Sequence, residues 1–312
     1  GEINLNDYTV ALSGLSADLA TALGGSFASA YTGDVTTGDA HNLAQLKAIN
    51  NATSGTITLT HTDVAISGDS SDYSAALAGN INYTGNVTIS NADYTVTELK
   101  NINNGTTGTI TLQTTNTALT GDATDLKEAL AGITNYSGNV TITDTSYTVA
   151  ELKAINSTTT GTITLQNTGV ALSGNSTDIA AAFAGSVTTH TGTVAITNAD
   201  HTLSELQTIN NATSGTITLT DYSVALNGTS AAISEALAGT FASTYTGTAT
   251  LSDDHTLAEL VAINNGTSGN ITLNSNAVAL TGSTSDIKAA LAGNVGASYT
   301  GNIVINDANS AS

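Results

Sequence analysis

The chain has no cysteine, methionine, tryptophan or proline, and all five of its basic residues are lysines. Without cysteine there are no disulfides, no thiolate metal ligands and no cysteine nucleophile. The compartment stays open on this count, because secreted chains of this size dispense with disulfides when a repetitive core is large enough. Five lysines face twenty-five acidic residues, giving a net charge of −20. That balance excludes the clustered basic side chains that nucleic acids and anionic membranes require. No apolar run approaches the roughly 18 residues needed to span a bilayer. No signal peptide is visible and residue 1 is Gly rather than Met, so a processed chain or an excerpt from something longer is expected.

Charge is scarce as well as one-sided. Only 10% of residues are charged while 40% are apolar, so the chain is no disordered acidic tail and can build a long core. That core is repetitive. Tyr147-Thr-Val-Ala-Glu-Leu-Lys-Ala-Ile-Asn-Ser-Thr-Thr-Thr-Gly-Thr-Ile-Thr-Leu165 reads as a capped helix, a polar turn and a strand. Relatives of it begin at His41, Tyr94, His201 and His255, a spacing of 53 or 54 residues. Each period holds two related halves of about 23 and 30 residues, both reading helix, Gly turn, strand. The expected fold is α/β: a right-handed repeat solenoid of parallel β-sheet and short helices, about twelve coils in six 52–55-residue double repeats. Residues 1–312 are expected to be one such solenoid, because stacking sets no natural domain size.

The helices are marked by their caps. Thr95 precedes Glu98, Thr148 precedes Glu151, Thr202 precedes Glu205 and Thr256 precedes Glu259, each at capping-box spacing. In the other half Asp122, Asn175 and Ser283 are candidate N-caps for Asp125, Asp178 and Asp286. Gly79, Gly132, Gly185, Gly239 and Gly293 are expected as left-handed stops, with Asn50 and Asn103 doing the same in the first half. In Thr56-Ile-Thr-Leu59 alternation places Ile57 and Leu59 inward and both threonines outward. Tyr-Thr-Val and Val-Ala-Leu (Val224–Leu226) are expected as a second short strand.

Three features carry candidate chemistry. His41, His201 and His255 share a position with Tyr94 and Tyr147, which reads as a partly buried aromatic ledge rather than a catalytic base. No nucleophile has a fixed place beside it, so no enzyme is expected. Asp93, Asp144, Asp200 and Asp254 recur before the helices, where stacked carboxylates either bind Ca²⁺ weakly or serve as caps and solvated charge. No other cofactor is expected. Outward rows of Thr56, Thr58, Thr109, Thr111, Thr162, Thr164, Thr216 and Thr218 resemble ice-binding surfaces and also suit a crystalline polysaccharide. The plain alternative is that Thr is a good polar strand former. Asn-x-Ser/Thr sequons, as at Asn51, Asn86, Asn139, Asn211 and Asn265, matter only in a host that glycosylates the secreted chain.

Tyr147-Thr-Val-Ala-Glu-Leu-Lys-Ala-Ile-Asn156, Gly215-Thr-Ile-Thr-Leu219 and Val170-Ala-Leu-Ser-Gly174 resemble repeats of very large cell-surface, adhesin-like proteins of marine cyanobacteria and other aquatic bacteria. The resemblance implies an extracellular or cell-surface structural or adhesive repeat protein, part of a filament or surface layer. A binding module that presents its threonines to ice or polysaccharide is the alternative. Ile3 and Leu5 begin a strand at once and Ile303 and Ile305 end one, with only a short polar tail beyond. Neither end offers an amphipathic cap, a proline or a lysine cluster, so the expected partner is self, by head-to-tail stacking or through flanking repeats. Surface polysaccharide is a further expected partner; nucleic acid and a membrane span are not.

Overall fold

The computed structural model describes residues 1–79 and 81–307; the polar tail expected beyond Asp307 lies outside them. The described residues form an α/β repeat solenoid with eleven helices and six small parallel sheets. Two compact units divide the chain, Gly1–Asp144 with Ser157–Thr164 and Thr145–Asn156 with Leu165 onward.

In the first unit one period reads opening strand Ile66–Gly68, short helix Ser70–Ala76, middle strand Val87–Ile89, long helix Val96–Gly105 and closing strand Ile110–Leu112. Ile66 pairs with Val87 across 21 residues and Val87 with Ile110 across 23, both parallel. A crossover of that length is what a parallel pair needs, and a helix fills it. Leu12–Gly14, Val35–Thr37 and Ile57–Leu59 form the same arrangement. The half expected at about 30 residues is thus a crossover plus a nine-residue step from Ile57 to Ile66, since Ile57–Leu59 and Ile66–Gly68 belong to different sheets. The second unit repeats the pattern in Leu172–Gly174, Val194–Ile196 and Ile217–Leu219, and in Leu226–Gly228, Ala249–Leu251 and Ile271–Thr272.

Alternation decides the strand faces. Ile57, Leu59, Ile110 and Leu112 are buried and the threonine between each pair is exposed. The third position of the opening strand is Gly, and it is tight where the preceding long helix begins with Leu rather than Val. A Cβ on Gly68 would lie 2.4 Å from Cδ2 of Leu43, the first residue of the long helix Leu43–Ala52. Val-Ala-Leu supplies only its last residue to a strand, Leu226–Gly228, and Tyr94-Thr-Val supplies none. Thr95 is instead the N-cap and Val96 the first helical residue. Capping chemistry outcompetes β-propensity there.

All four Thr–Glu capping boxes form, and Asn42 with Gln45 makes a fifth. Asp122, Asn175 and Ser283 accept from the N–H groups of Asp125, Asp178 and Asp286. Each long helix buries a stripe such as Val96, Leu99 and Ile102.

The stops differ from expectation. Gly79, Gly132 and Gly185 take positive φ, but Gly239 and Gly293 do not. The preceding residue decides it. Ala131 is extended at φ −58°, ψ 131°, so Gly132 completes a type II turn, whereas Ala238 stays helical at φ −71°, ψ −14°. Asn50 and Asn103 lie inside their helices, which run on to Ala52 and Gly105 and end at extended Thr53 and Thr106.

Candidate functional site

Thr58, Thr111, Thr164 and Thr218 are the central, outward residues of closing strands; Thr56, Thr109, Thr162 and Thr216 immediately precede those strands. All are exposed except the half-buried Thr216. Thr58 lies opposite Thr36, Thr111 opposite Thr88, and Thr272 opposite Thr250, so hydroxyls line up across strands about 4.8 Å apart. The rows are short. Ser13, Thr36 and Thr58 make one, and the next starts afresh with Ser67 because the sheet changes. Thr218 faces Ala195 and Thr281 faces Val304, so two rows break in the second unit. The backbone N–H groups of Thr56, Thr109 and Thr162 donate to the side-chain oxygens of Asp34, Asn86 and Asn139 at 2.8, 3.0 and 3.0 Å.

The loop carboxylates are mostly spoken for. Asp144 Oδ2 accepts from the backbone N–H of Ala123 at 2.6 Å, capping the short helix one coil earlier. Asp39 and Asp253 do the same for Ser16 and Ser230, both at 2.7 Å, and Asn91 and Asn198 for Ser70 and Ser176, both at 2.8 Å. Hydrogen bonds from Ser16 hold the Asp39 carboxyl below the usual carboxylate range. Asp93, Asp200 and Asp254 are exposed beside these caps; Asp93 accepts from Asn91 at 2.8 Å and Asp254 from Asn274 at 3.4 Å. Among the described residues no three His, Asp or Glu side chains come together as a metal site.

The rings form two interior columns, more deeply buried than a ledge. Tyr94, Tyr147, His41, His201 and His255 are each at most 5% exposed. Tyr94 donates to the carbonyl of Thr114 at 2.7 Å and Tyr147 to that of Asn167 at 3.0 Å. His201 Nε2 lies 3.1 Å from the Tyr245 hydroxyl, which donates its only proton to Val224 O at 2.6 Å. His201 is therefore protonated on Nε2 and donates to the tyrosine oxygen. The second column runs Tyr31, Tyr83 and Tyr136 in one unit and His190, Tyr245 and Tyr299 in the other. Its tyrosines donate to carbonyls of Val10, Val64, Thr117, Val224 and Val278. His190 replaces tyrosine by donating from Nε2 to Val170 O at 2.7 Å. Burial pushes His41, His190, His201 and His255 down and so keeps them neutral. Burial likewise raises Tyr147 to about 12. These rings fasten one coil to the next, except His41, whose two ring nitrogens are buried without a hydrogen-bond partner.

Two further columns escape a reading of single residues. Asn50, Asn103, Asn156 and Asn264 donate their side-chain amides to carbonyls of Ala75, Glu128, Ala181 and Ala289 at 2.6 to 2.9 Å, closing the C-terminus of the next short helix. Thr106, Thr159, Thr213 and Thr267 are buried, and their hydroxyls join the carbonyls of Gly85, Gly138, His190 and Gly247 to the N–H two residues on. Recurrence at the repeat spacing is the signal that marks both. Compared with known proteins, the chain matches no family model and no curated sequence.

Proposed function

We propose that the chain is an extracellular or cell-surface structural repeat protein, adhesive or filament-forming, whose coils associate with further coils of their own kind. One observation carries the reading: most of the recurring Asn, Asp and aromatic side chains are engaged in bonds between coils. Asn amides close helix C-termini, Asp and Asn oxygens close N-termini, and the ring tips meet backbone carbonyls. A net charge of −20 with five lysines suits a solvated exterior without nucleic acid or anionic lipid as partner. No helix among the described residues is long and apolar enough to cross a membrane. The resemblance to giant surface-protein repeats points the same way. Sedimentation of the purified chain over a wide concentration range, with electron microscopy, tests it. Concentration-dependent assemblies are expected, and a monomer at every concentration would overturn the reading.

The rival reading is a module that offers its hydroxyl rows to ice or crystalline polysaccharide. The in-register pairs Thr36–Thr58 and Thr88–Thr111 favour it. Thermal hysteresis and polysaccharide co-sedimentation, each lost in Thr58→Lys and Thr111→Lys variants, would establish it.

A further inference from the structure

We infer that the chain carries two equivalent saccharide sites, one beside Phe241 and one beside Phe27, each taking a neutral β-linked hexose unit. The sites are distinct from the threonine rows and stand independently of self-association.

The chain has only three phenylalanines. Phe183 is buried in the short helix Ser176–Phe183. Phe241 and Phe27 are half-buried and occupy the same place in two periods, Gly239-Thr-Phe-Ala-Ser-Thr-Tyr-Thr-Gly247 and Gly25-Ser-Phe-Ala-Ser-Ala-Tyr-Thr-Gly33. The fold does not demand an aromatic ring there. Phe241 bridges Ile217, the first residue of a closing strand, and Ile81 and Val295 make the same bridge to Ile57 and Ile271. An aliphatic side chain therefore suffices for the contact.

Each of these two rings lines a cavity of about 400 Å³, a size usual for small-molecule sites. Phe241, Ser243, Thr244 and Tyr245 come from the turn, and Asn265 from the end of the long helix Leu257–Gly266. Phe27, Ser29, Tyr31 and Asn51 build the other cavity from the same positions. Each cavity lies within one compact unit. The stretch from Gly239 to Gly247 is two residues longer than that from Gly79 to Gly85, which gives the turn its extra serine and the ring its room.

The ring is held in place by its tyrosine. Tyr245 donates to Val224 O at 2.6 Å, and its ring centre lies 6.1 Å from that of Phe241. Tyr31 donates to Val10 O and lies 6.2 Å from Phe27. The polar side chains of the lining are idle by contrast. Among the described residues none bonds the side chains of Ser243, Thr244, Asn265, Ser29 or Asn51, and all five are exposed. The neighbouring Asn264 and Asn50 do the structural work, donating to Ala289 O and Ala75 O, both at 2.6 Å.

This lining selects the ligand. No charged side chain among the described residues lines either cavity, so an ion gains nothing there. The face of an aromatic ring attracts weakly positive C–H groups, and hydroxyls and carboxamides both donate and accept. A neutral sugar offers the complement of both, a C–H face and an edge of hydroxyls. A β-linked hexose does so best, because its equatorial hydroxyls leave that face bare. An apolar peptide side chain would instead bury the serine and asparagine groups unpaired.

The scarcity of phenylalanine makes a direct test possible. The full chain is labelled with 4-fluorophenylalanine in a host without N-glycosylation, and its fluorine resonances are assigned through Phe27→Leu and Phe241→Leu. Cellohexaose should shift the Phe27 and Phe241 resonances with a Kd of about 1 mM and leave Phe183 unmoved. Ser243→Ala with Asn265→Ala breaks no internal bond, so circular dichroism should show that variant folded. It should weaken binding at Phe241 by about tenfold while Phe27 titrates as before. No shift with cellohexaose or with β-1,4-galactan fragments overturns the inference, and so does a titration indifferent to the double variant. Cellulose co-sedimentation that is lost in Thr58→Lys while both phenylalanine resonances stay still would place the saccharide on the threonine rows and overturn it equally.

Discussion

The Asn103 side-chain amide donates to the backbone carbonyl of Glu128, 2.9 Å away and 25 residues along the chain, so a residue of one helix closes the C-terminus of the next. The carbonyl is one that the short helix Ala123–Leu130 cannot satisfy alone. Replacing Asn103 by Ala should cost about 1 kcal/mol. Asn103→Asp should cost more, because a carboxylate would then face the carbonyl oxygen. Denaturant titration measures both, and an unchanged midpoint would remove the role assigned to this column.

Acid should loosen the protein before its carboxylates titrate. Burial lowers His41, His190, His201 and His255 in the folded chain relative to about 6.5 in the unfolded one. The unfolded state therefore binds more protons, and stability is full above about pH 6.5 and declines as pH falls below it. Melting temperatures should drop between pH 7.5 and 5.5. The drop should shrink in a His201→Tyr variant, which installs the ring found at Tyr94 and Tyr147. At the alkaline end the sign reverses. Tyr73 and Tyr147 are raised to about 12, so their contribution is intact below about pH 10 and is lost as pH climbs toward 12.

Tyr73 occupies a short-helix position where Leu19 and Leu126 stand in other periods of the same unit, and its buried hydroxyl makes no well-formed hydrogen bond, only a loose approach to the backbone of Thr88. Tyr73→Phe keeps the ring and deletes the orphaned group. It should melt no lower than the parent and up to a few degrees higher, by about 1 kcal/mol. A clear loss of stability would mean the hydroxyl is satisfied.

Leu152 is fully buried on its helix stripe. Leu152→Asp should cost about 3–5 kcal/mol, because it places an unpaired charge in the core. Thermal melts followed by circular dichroism would show it, and an unmoved midpoint would invert the assignment of inside and outside.

Chelator should change little. Asp39, Asp144 and Asp253 already accept from backbone N–H groups, the partners a bound Ca²⁺ would have to displace. Melting with and without EDTA should agree within a few degrees; collapse in EDTA would make these carboxylates ligands.

The capping boxes and the strand alternation were legible because they depend on residues three and two apart, and the period because whole phrases recur. Gly239 was misread because its φ follows from the backbone of Ala238, and no side chain announces that. Asn103 was misread for a different reason: an Asn near a helix end looks like a stop when its partner, Glu128, is 25 residues away. The break in the threonine rows where Leu59 leaves one sheet and Ile66 begins another was not legible, because composition repeats without showing sheet boundaries.

The fasteners between coils join residues about one coil apart: 21 from Ala123 to Asp144, 20 from Tyr94 to Thr114, 25 from Asn103 to Glu128. A cut made anywhere and a second cut one period later leave two ends whose broken bonds are matched. Whole periods can thus be deleted or duplicated in frame, with each fastener meeting the equivalent partner, whereas a deletion of half that length would strand them. Copy number is for that reason a nearly neutral variable in such a gene, open to recombination between its own repeats.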